Sequence, residues 1–265
     1  MCMDTYSPQA SPHYLPERRK LLQTAALGLA SASSLWLPRS SWAQPKFQNN
    51  PFTLGVASGS PTHDSVVLWT RLVDSGFFGS SFGSKLGSES VTVRWEMALD
   101  DQFSRVVQTG QSQAVAALAH SVHVEVPNLQ PDRWYFYRFM AGDVISPVGK
   151  TRTFPAPGTP AAKLRLAYAS CQRWEYGYFS AYKHMLAENL DAVMFLGDYI
   201  YEYPGATNGI RIPNMTSSLG FTLTLDDYRA RYATYKGDAD LQAMHAACPW
   251  LITWDTTRCK TTMPV

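Results

Sequence analysis

The stretch AVMFLGDYIYEY at positions 192–203 restricts the possible folds of this chain more than any other. AVMFL is a short apolar run closed by Gly197, the pattern of a buried strand rather than a helix. Gly197 lets the chain turn, and Asp198 stands where the strand runs out. In open α/β sheets, ligands bind at that carboxyl edge. Tyr199, Tyr201, Glu202 and Tyr203 follow at once, so carboxylates and phenols crowd one strand tip.

A partner for this strand lies just upstream. LRLAYA at 164–169 is strand-like and ends at Ser170, Cys171 and Gln172. Between the two, Phe179, Tyr182, Met185 and Leu186 fall at helical spacing within 178–188. A β–α–β unit is right-handed and sets its strands parallel, with both carboxyl ends at one edge. Cys171 and Asp198 are therefore expected to be neighbours although 27 positions apart. A thiolate, a carboxylate and a phenolate together favour a trivalent metal such as iron(III). A carboxylate in the middle can bridge to a second ion, the two-ion arrangement used on phosphate esters. A Cys after a strand is equally consistent with a small buried residue, and Gly-Asp with a turn cap, so the residues alone leave both open.

The chain before this unit has a different period. Strands are expected at 52–57, 66–72, 91–98, 120–126, 134–140 and 150–154, short and punctuated by turns. With no helical period among them, they predict an immunoglobulin-like or fibronectin-like sandwich over residues 44–156. Leu129, Pro131 and Tyr135 have the spacing of a tyrosine corner, in which a buried phenol hydrogen-bonds the backbone of the turn. The Gly/Ser-rich loop between Asp74 and Ser90 carries Phe77, Phe78 and Phe82 and reads as a packing surface. His63, His120 and His123 have no carboxylate spaced with them and are read as structural. PAPGTP at 155–160 has linker composition, and the α/β segment follows over 163–255.

Residues 1–43 read as an address rather than a domain. Arg18 and Arg19 precede a weakly apolar Ala/Leu/Ser segment that is shorter than the ~20 residues of a spanning helix, and Ala43 offers a cleavage point. Paired arginines in that setting resemble a twin-arginine export signal. Glu17, Leu21 and Gln23 depart from its usual residues. The expected partner is the twin-arginine export machinery, the expected location periplasmic or secreted, with no transmembrane anchor after cleavage. A formal charge of +2 gives no footprint for a nucleic acid, and no nucleic-acid-binding module is evident. Cys2, Cys171, Cys248 and Cys259 contain no CxxC, so a zinc ribbon or thioredoxin motif is unsupported. Asp226 and Asp227 open an apparent helix, where acids favour the dipole. Arg229 and Arg231 read as its solvated face. His184 and His245 read as structural and Cys248 as a buried thiol.

Four motifs together resemble the PhoD-type alkaline phosphatase/phosphodiesterases. They are SGSP…SVVLWTRL at 58–72, YASCQ at 168–172, FLGDYIYEY at 195–203 and LDDYRARYATYKGDADLQAMHAACPWLITWD at 225–255. The resemblance implies a fibronectin-like N-terminal domain followed by a calcineurin-like α/β metallophosphoesterase domain. It implies a site with one iron(III) and calcium, Cys171 and Tyr201 ligating iron and Asp198 bridging iron to calcium. Asp255, which ends its strand as Asp198 does, is a further candidate metal ligand. The ions would bind phosphoryl oxygens and supply a hydroxide for in-line attack on phosphate mono- and diesters.

After Trp254 and Asp255 the family pattern continues D-H-E-V, whereas this chain reads TTRCKTTMPV at 256–265. With suitable codons, a continuation D-D-H-E-V-Q-N-D-Y-A-G that loses one base in its second codon reads D-T-T-R-C-K-T-T-M-P-V, residues 255–265 in full. The expectation is a single-base deletion just after the Asp255 codon, leaving an incomplete metallophosphatase domain and an out-of-frame tail. Sequencing the locus checks this: phosphatase-like sequence should continue in a shifted frame, and its absence from both frames would refute it. On this expectation the site lacks a His ligand, and an uncovered apolar face invites aggregation. The chain as written would then hydrolyse no phosphate ester above background. The competing class is an exported, non-catalytic β-sandwich binding module.

Overall fold

The computed structural model describes residue 47 and residues 49–73, 86–161, 163–204, 208–211 and 221–253. The expected export signal, the Phe77–Phe82 loop, Asp255 and the tail at 256–265 lie outside the described residues.

The elements run β1 (Val56–Gly59), β2 (Val66–Arg71), β3 (Val91–Ala98), β4 (Val106–Ala114), β5 (Ser121–Val126), β6 (Trp134–Ala141), β7 (Val144–Ile145), β8 (Gly149–Arg152) and β9 (Leu166–Ala169). They continue α1 (Ser180–Ala187), β10 (Ala192–Phe195), α2 (Leu225–Lys236), α3 (Ala239–Ala247) and β11 (Trp250–Ile252). The described chain is thus mostly β-sheet with few helices.

Alternation builds the first core. Val66 and Leu68 of β2 and Val122, Val124 and Val126 of β5 point to the same side of one sheet. They meet Val93, Trp95 and Met97 of β3 and Tyr137 and Phe139 of β6 from a second sheet, ordered β4-β3-β6-β7 with β8 on β6. Each buried side chain of this size contributes about 1.5–3 kcal/mol. The Tyr135 hydroxyl accepts a hydrogen bond from the Gln130 amide at 2.9 Å, the contact expected of a tyrosine corner. The first strand differs from its expected position. Residues 52–55 form a turn, with the Gly55 amide bonded to the Phe52 carbonyl at 3.0 Å, and pairing begins at Val56. β4 had no counterpart in the sequence pattern, because most of its side chains are polar and exposed and only pairing with β3 makes it a strand.

The two halves of the chain share one sheet. Its order is β5-β2-β1-β11-β10-β9, antiparallel from β5 to β1 and parallel from β1 to β9. The join is Gly59 beside Trp250, and the Ser60 amide donates to the Trp250 carbonyl at 3.3 Å. A Cβ on Gly59 would lie 2.9 Å from that carbonyl oxygen, so glycine is what allows the backbones to meet. Arg152 of β8 adds a second tie, bonding both Asp132 and Asp191 beside the start of β10.

A second core forms where α1, α2 and α3 cover one face of β10 and β11. Val193, Phe195 and Trp250 pack there against Tyr182, Tyr235, Leu241 and Met244. α2 opens with a capping box between Thr224 and Asp227, which satisfies two orphan amides at its start. Parallel sheets are normally covered on both faces. Here Leu166, Tyr168, Met194 and Leu196 leave the other face apolar and exposed, Tyr168 at 77%. Among the described residues no helix is long and apolar enough to cross a membrane.

Candidate functional site

The expected β–α–β unit forms. β9 and β10 are parallel, with Ala169 opposite Phe195, so their carboxyl ends lie level. Beyond them the two loops are laced by backbone hydrogen bonds. The Leu196 amide donates to the Ala169 carbonyl at 2.9 Å, the Cys171 amide to Gly197 at 3.2 Å, and the Gln172 amide to Asp198 at 3.3 Å. Gln172 locks the pair from below: its side-chain amide donates to the Tyr199 carbonyl at 3.0 Å and its oxygen accepts from Tyr182 at 2.5 Å.

This lacing brings three of the four predicted site residues together. Cys171 Sγ lies 3.8 Å from Asp198 Oδ2, and the Tyr201 hydroxyl donates to the same oxygen at 2.9 Å. One carboxylate oxygen therefore sits between a thiol and a phenol. Both Cys171 and Asp198 have left-handed backbone, with φ of 58° and 56°. Non-glycine residues hold that conformation at a cost of about 1–3 kcal/mol, and such strain clusters at functional sites. Gly197 was a readable turn signal; nothing in the sequence announced the strain at Cys171. Cys171 is exposed and Asp198 and Tyr201 are half-buried, so the cluster opens to solvent. Partial burial, the hydrogen bond to Asp198 and the nearness of Cys171 push the Tyr201 phenol well above its ordinary range. The fourth residue, Asp255, lies outside the described residues.

The donor set fits one metal ion. Ligands bound at about 2.0–2.3 Å to one ion stand roughly 3–4 Å from one another, the scale of the contacts around Asp198 Oδ2. Among the described residues, no group of three or more His, Cys, Asp or Glu side chains gathers to hold a metal; the third donor of this cluster is the Tyr201 phenol.

A buried ionic network holds the loop that carries Tyr201. Arg231 of α2, read from sequence as part of a solvated face, is instead 2% exposed. It donates to Glu175 Oε1 at 2.8 Å and to the Tyr203 carbonyl at 2.7 Å. Arg173 donates to the Pro204 carbonyl at 3.2 Å and lies 3.6 Å from the other oxygen of Glu175. Glu175 sits in a 3-10 turn at Trp174–Tyr176 and is wholly buried. The error has a physical cause: helical spacing says nothing about a carboxylate arriving from 56 positions away. Arg229 also departs from a purely solvated role, bonding Asp226 and the Ala117 carbonyl.

Of the histidines read as structural, His120 and His245 are buried. His120 is 1% exposed and its Nε2 lies 3.1 Å from the Glu89 carbonyl. His245 stacks on Trp250 with ring centroids 3.9 Å apart. Cys248 is a buried thiol at 1% exposure, and burial pushes its pKa up to about 12.

Residues 38–155 match the PhoD-like phosphatase N-terminal domain, and residues 166–256 match the PhoD-like phosphatase domain. Alkaline phosphatase D of Bacillus subtilis (strain 168) is 47% identical over 250 residues, covering 90% of this chain and 41% of that protein. A solved structure of PhoD is 49% identical with a TM-score of 0.73, covering 80% of this chain and 40% of that one. The chain spans about two fifths of the length of the relatives it matches.

Proposed function

The chain belongs to the PhoD-like phosphatase family, and we propose that Cys171, Asp198 and Tyr201 are metal ligands of an exported phosphoesterase acting on phosphate mono- and diesters. The observation that carries this is the shared carboxylate oxygen, with a thiol at 3.8 Å and a phenol at 2.9 Å. Three anionic donors of that kind suit iron(III) better than a softer or larger ion. The other carboxylate oxygen of Asp198 would be the one to hold a calcium ion. An ion bound there supplies Lewis acidity to phosphoryl oxygens and to the attacking water. The protein's part is to hold the donors at the open edge of the sheet, where the strained loops and the Arg231–Glu175 pair fix them before any substrate arrives.

The same reading takes the paired sheets as a fibronectin-like sandwich, on the strength of the Tyr135 contact. It takes β9 to β11 with their helices as part of a calcineurin-like domain. Export by the twin-arginine route rests on Arg18, Arg19 and the weakly apolar segment after them.

A two-ion phosphoesterase centre needs ligands for each ion, and the three donors found among the described residues serve one. The 265-residue chain is therefore proposed to bind iron(III) without turning over substrate. The test is to load the purified chain with iron(III) and calcium, measure bound metal, and assay bis(4-nitrophenyl) phosphate. Bound iron with hydrolysis at background is expected. Hydrolysis well above background, lost on Asp198→Ala, would contradict the inactivity; failure to retain iron would contradict the site.

A further inference from the structure

A second site lies apart from the strand-tip cluster, between α2 and the face of β1, β2 and β5 turned away from the sandwich core. One stripe of α2, including Tyr228, Tyr232 and Lys236, stands off from Trp69 and His123 and leaves a cavity of about 490 Å³. That lies within the ~300–1,000 Å³ of small-molecule sites. Its described lining includes Arg71, Arg229 and Lys236 and no Asp or Glu.

Two of these cations are engaged by the protein itself. Arg71 donates to the carbonyls of Ala119 and Arg229, and Arg229 bonds Asp226 and the Ala117 carbonyl. Lys236 is different. Its ammonium lies 4.6 Å from the Trp69 ring centre and 5.5 Å from that of Tyr199, and no described carboxylate lies within ion-pair distance of it. Burial pushes its amine down to about 7. Aromatic faces offset part of the desolvation of an ammonium, and an anion offsets more.

His245, 2% exposed, also lines the cavity. The Tyr199 hydroxyl and His245 Nε2 lie 2.7 Å apart, and Nδ1 of His245 is buried without a hydrogen-bond partner among the described residues.

We propose that this cavity binds a small aromatic anion, its charged group held by Lys236 and its ring enclosed by Trp69, Tyr228 and Tyr232. The acid-free lining selects the charge, and the aromatic walls select a planar body. The site does not depend on the metal-ligand reading.

Calorimetric titration with naphthalene-2-sulfonate, naphthalene-2-methanol and inorganic sulfate tests it. The sulfonate should bind saturably at one site. The neutral alcohol and sulfate should each bind at least tenfold more weakly. Lys236→Met should weaken sulfonate binding at least tenfold, while Asp198→Ala should leave it unchanged. Equal binding of sulfonate and alcohol, no binding of the sulfonate, or an unaltered affinity in Lys236→Met would overturn the proposal. A measurement on the unaltered chain guards against a misfolded variant: saturating sulfonate should slow reductive methylation of Lys236, read by peptide mass spectrometry. An unchanged rate would contradict the site.

Discussion

Replacing Arg231 with methionine is expected to lower the unfolding free energy by about 3–5 kcal/mol, read as a lower urea midpoint at an unchanged slope. Both side chains of the pair are out of water, Arg231 at 1% and Glu175 at 0%. Removing the guanidinium leaves a buried carboxylate whose nearest remaining cation, Arg173, is 3.6 Å away. It also strips a donor from the Tyr203 carbonyl, which Arg231 holds at 2.7 Å. The loss comes from an uncompensated charge and not from a strong bond, because a buried pair roughly breaks even against apolar residues of similar volume. The double variant Arg231→Met with Glu175→Leu should therefore recover much of the stability. A loss under about 1 kcal/mol in the single variant would place Glu175 in contact with water and contradict the network.

The second large effect concerns metal affinity. Asp198→Asn should weaken iron(III) binding by at least about 100-fold, the upper end of what loss of a ligand's supporting contact alone does. Its Oδ2 is the atom that both Cys171 and Tyr201 approach, so it is the donor at the middle of the cluster, and its neutralisation removes one of the centre's three charges. Cys171→Ser and Tyr201→Phe should each cost less than Asp198→Asn and should keep the urea midpoint near that of the parent. Equilibrium dialysis against a chelator of known affinity ranks the three. Equal affinities in all three variants and the parent would mean the ion binds elsewhere.

Much of this was readable from the residues. The strands β3 and β6 follow alternation, since their buried side chains form one face of a core. The parallel β9–β10 pair follows from two short apolar runs flanking a helix, and handedness then puts Cys171 beside Asp198. Other features were not legible because their causes are tertiary. β4 is a strand only because β3 pairs with it. β1 begins at Val56, where pairing with Thr70 of β2 starts, and its last residue Gly59 also gains Trp250 as a parallel partner. Arg231 is buried because Glu175, from a separate turn, lies beside it. The left-handed backbone at Cys171 is imposed by the hydrogen bonds that lace two loops, a constraint no single loop records.

The central claim is that a thiol, a carboxylate and a phenol from two adjacent strand tips hold one ferric ion. Its most direct test is the visible spectrum of the purified chain during titration with iron(III). A phenolate bound to iron(III) gives a charge-transfer absorption that neither a bound carboxylate nor a free phenol produces. The phenolate band should grow to one iron per chain and be lost in Tyr201→Phe, leaving only the Cys171 thiolate-to-iron absorption, while that variant still binds iron. A spectrum without the band, or a band unchanged in Tyr201→Phe, would contradict the claim.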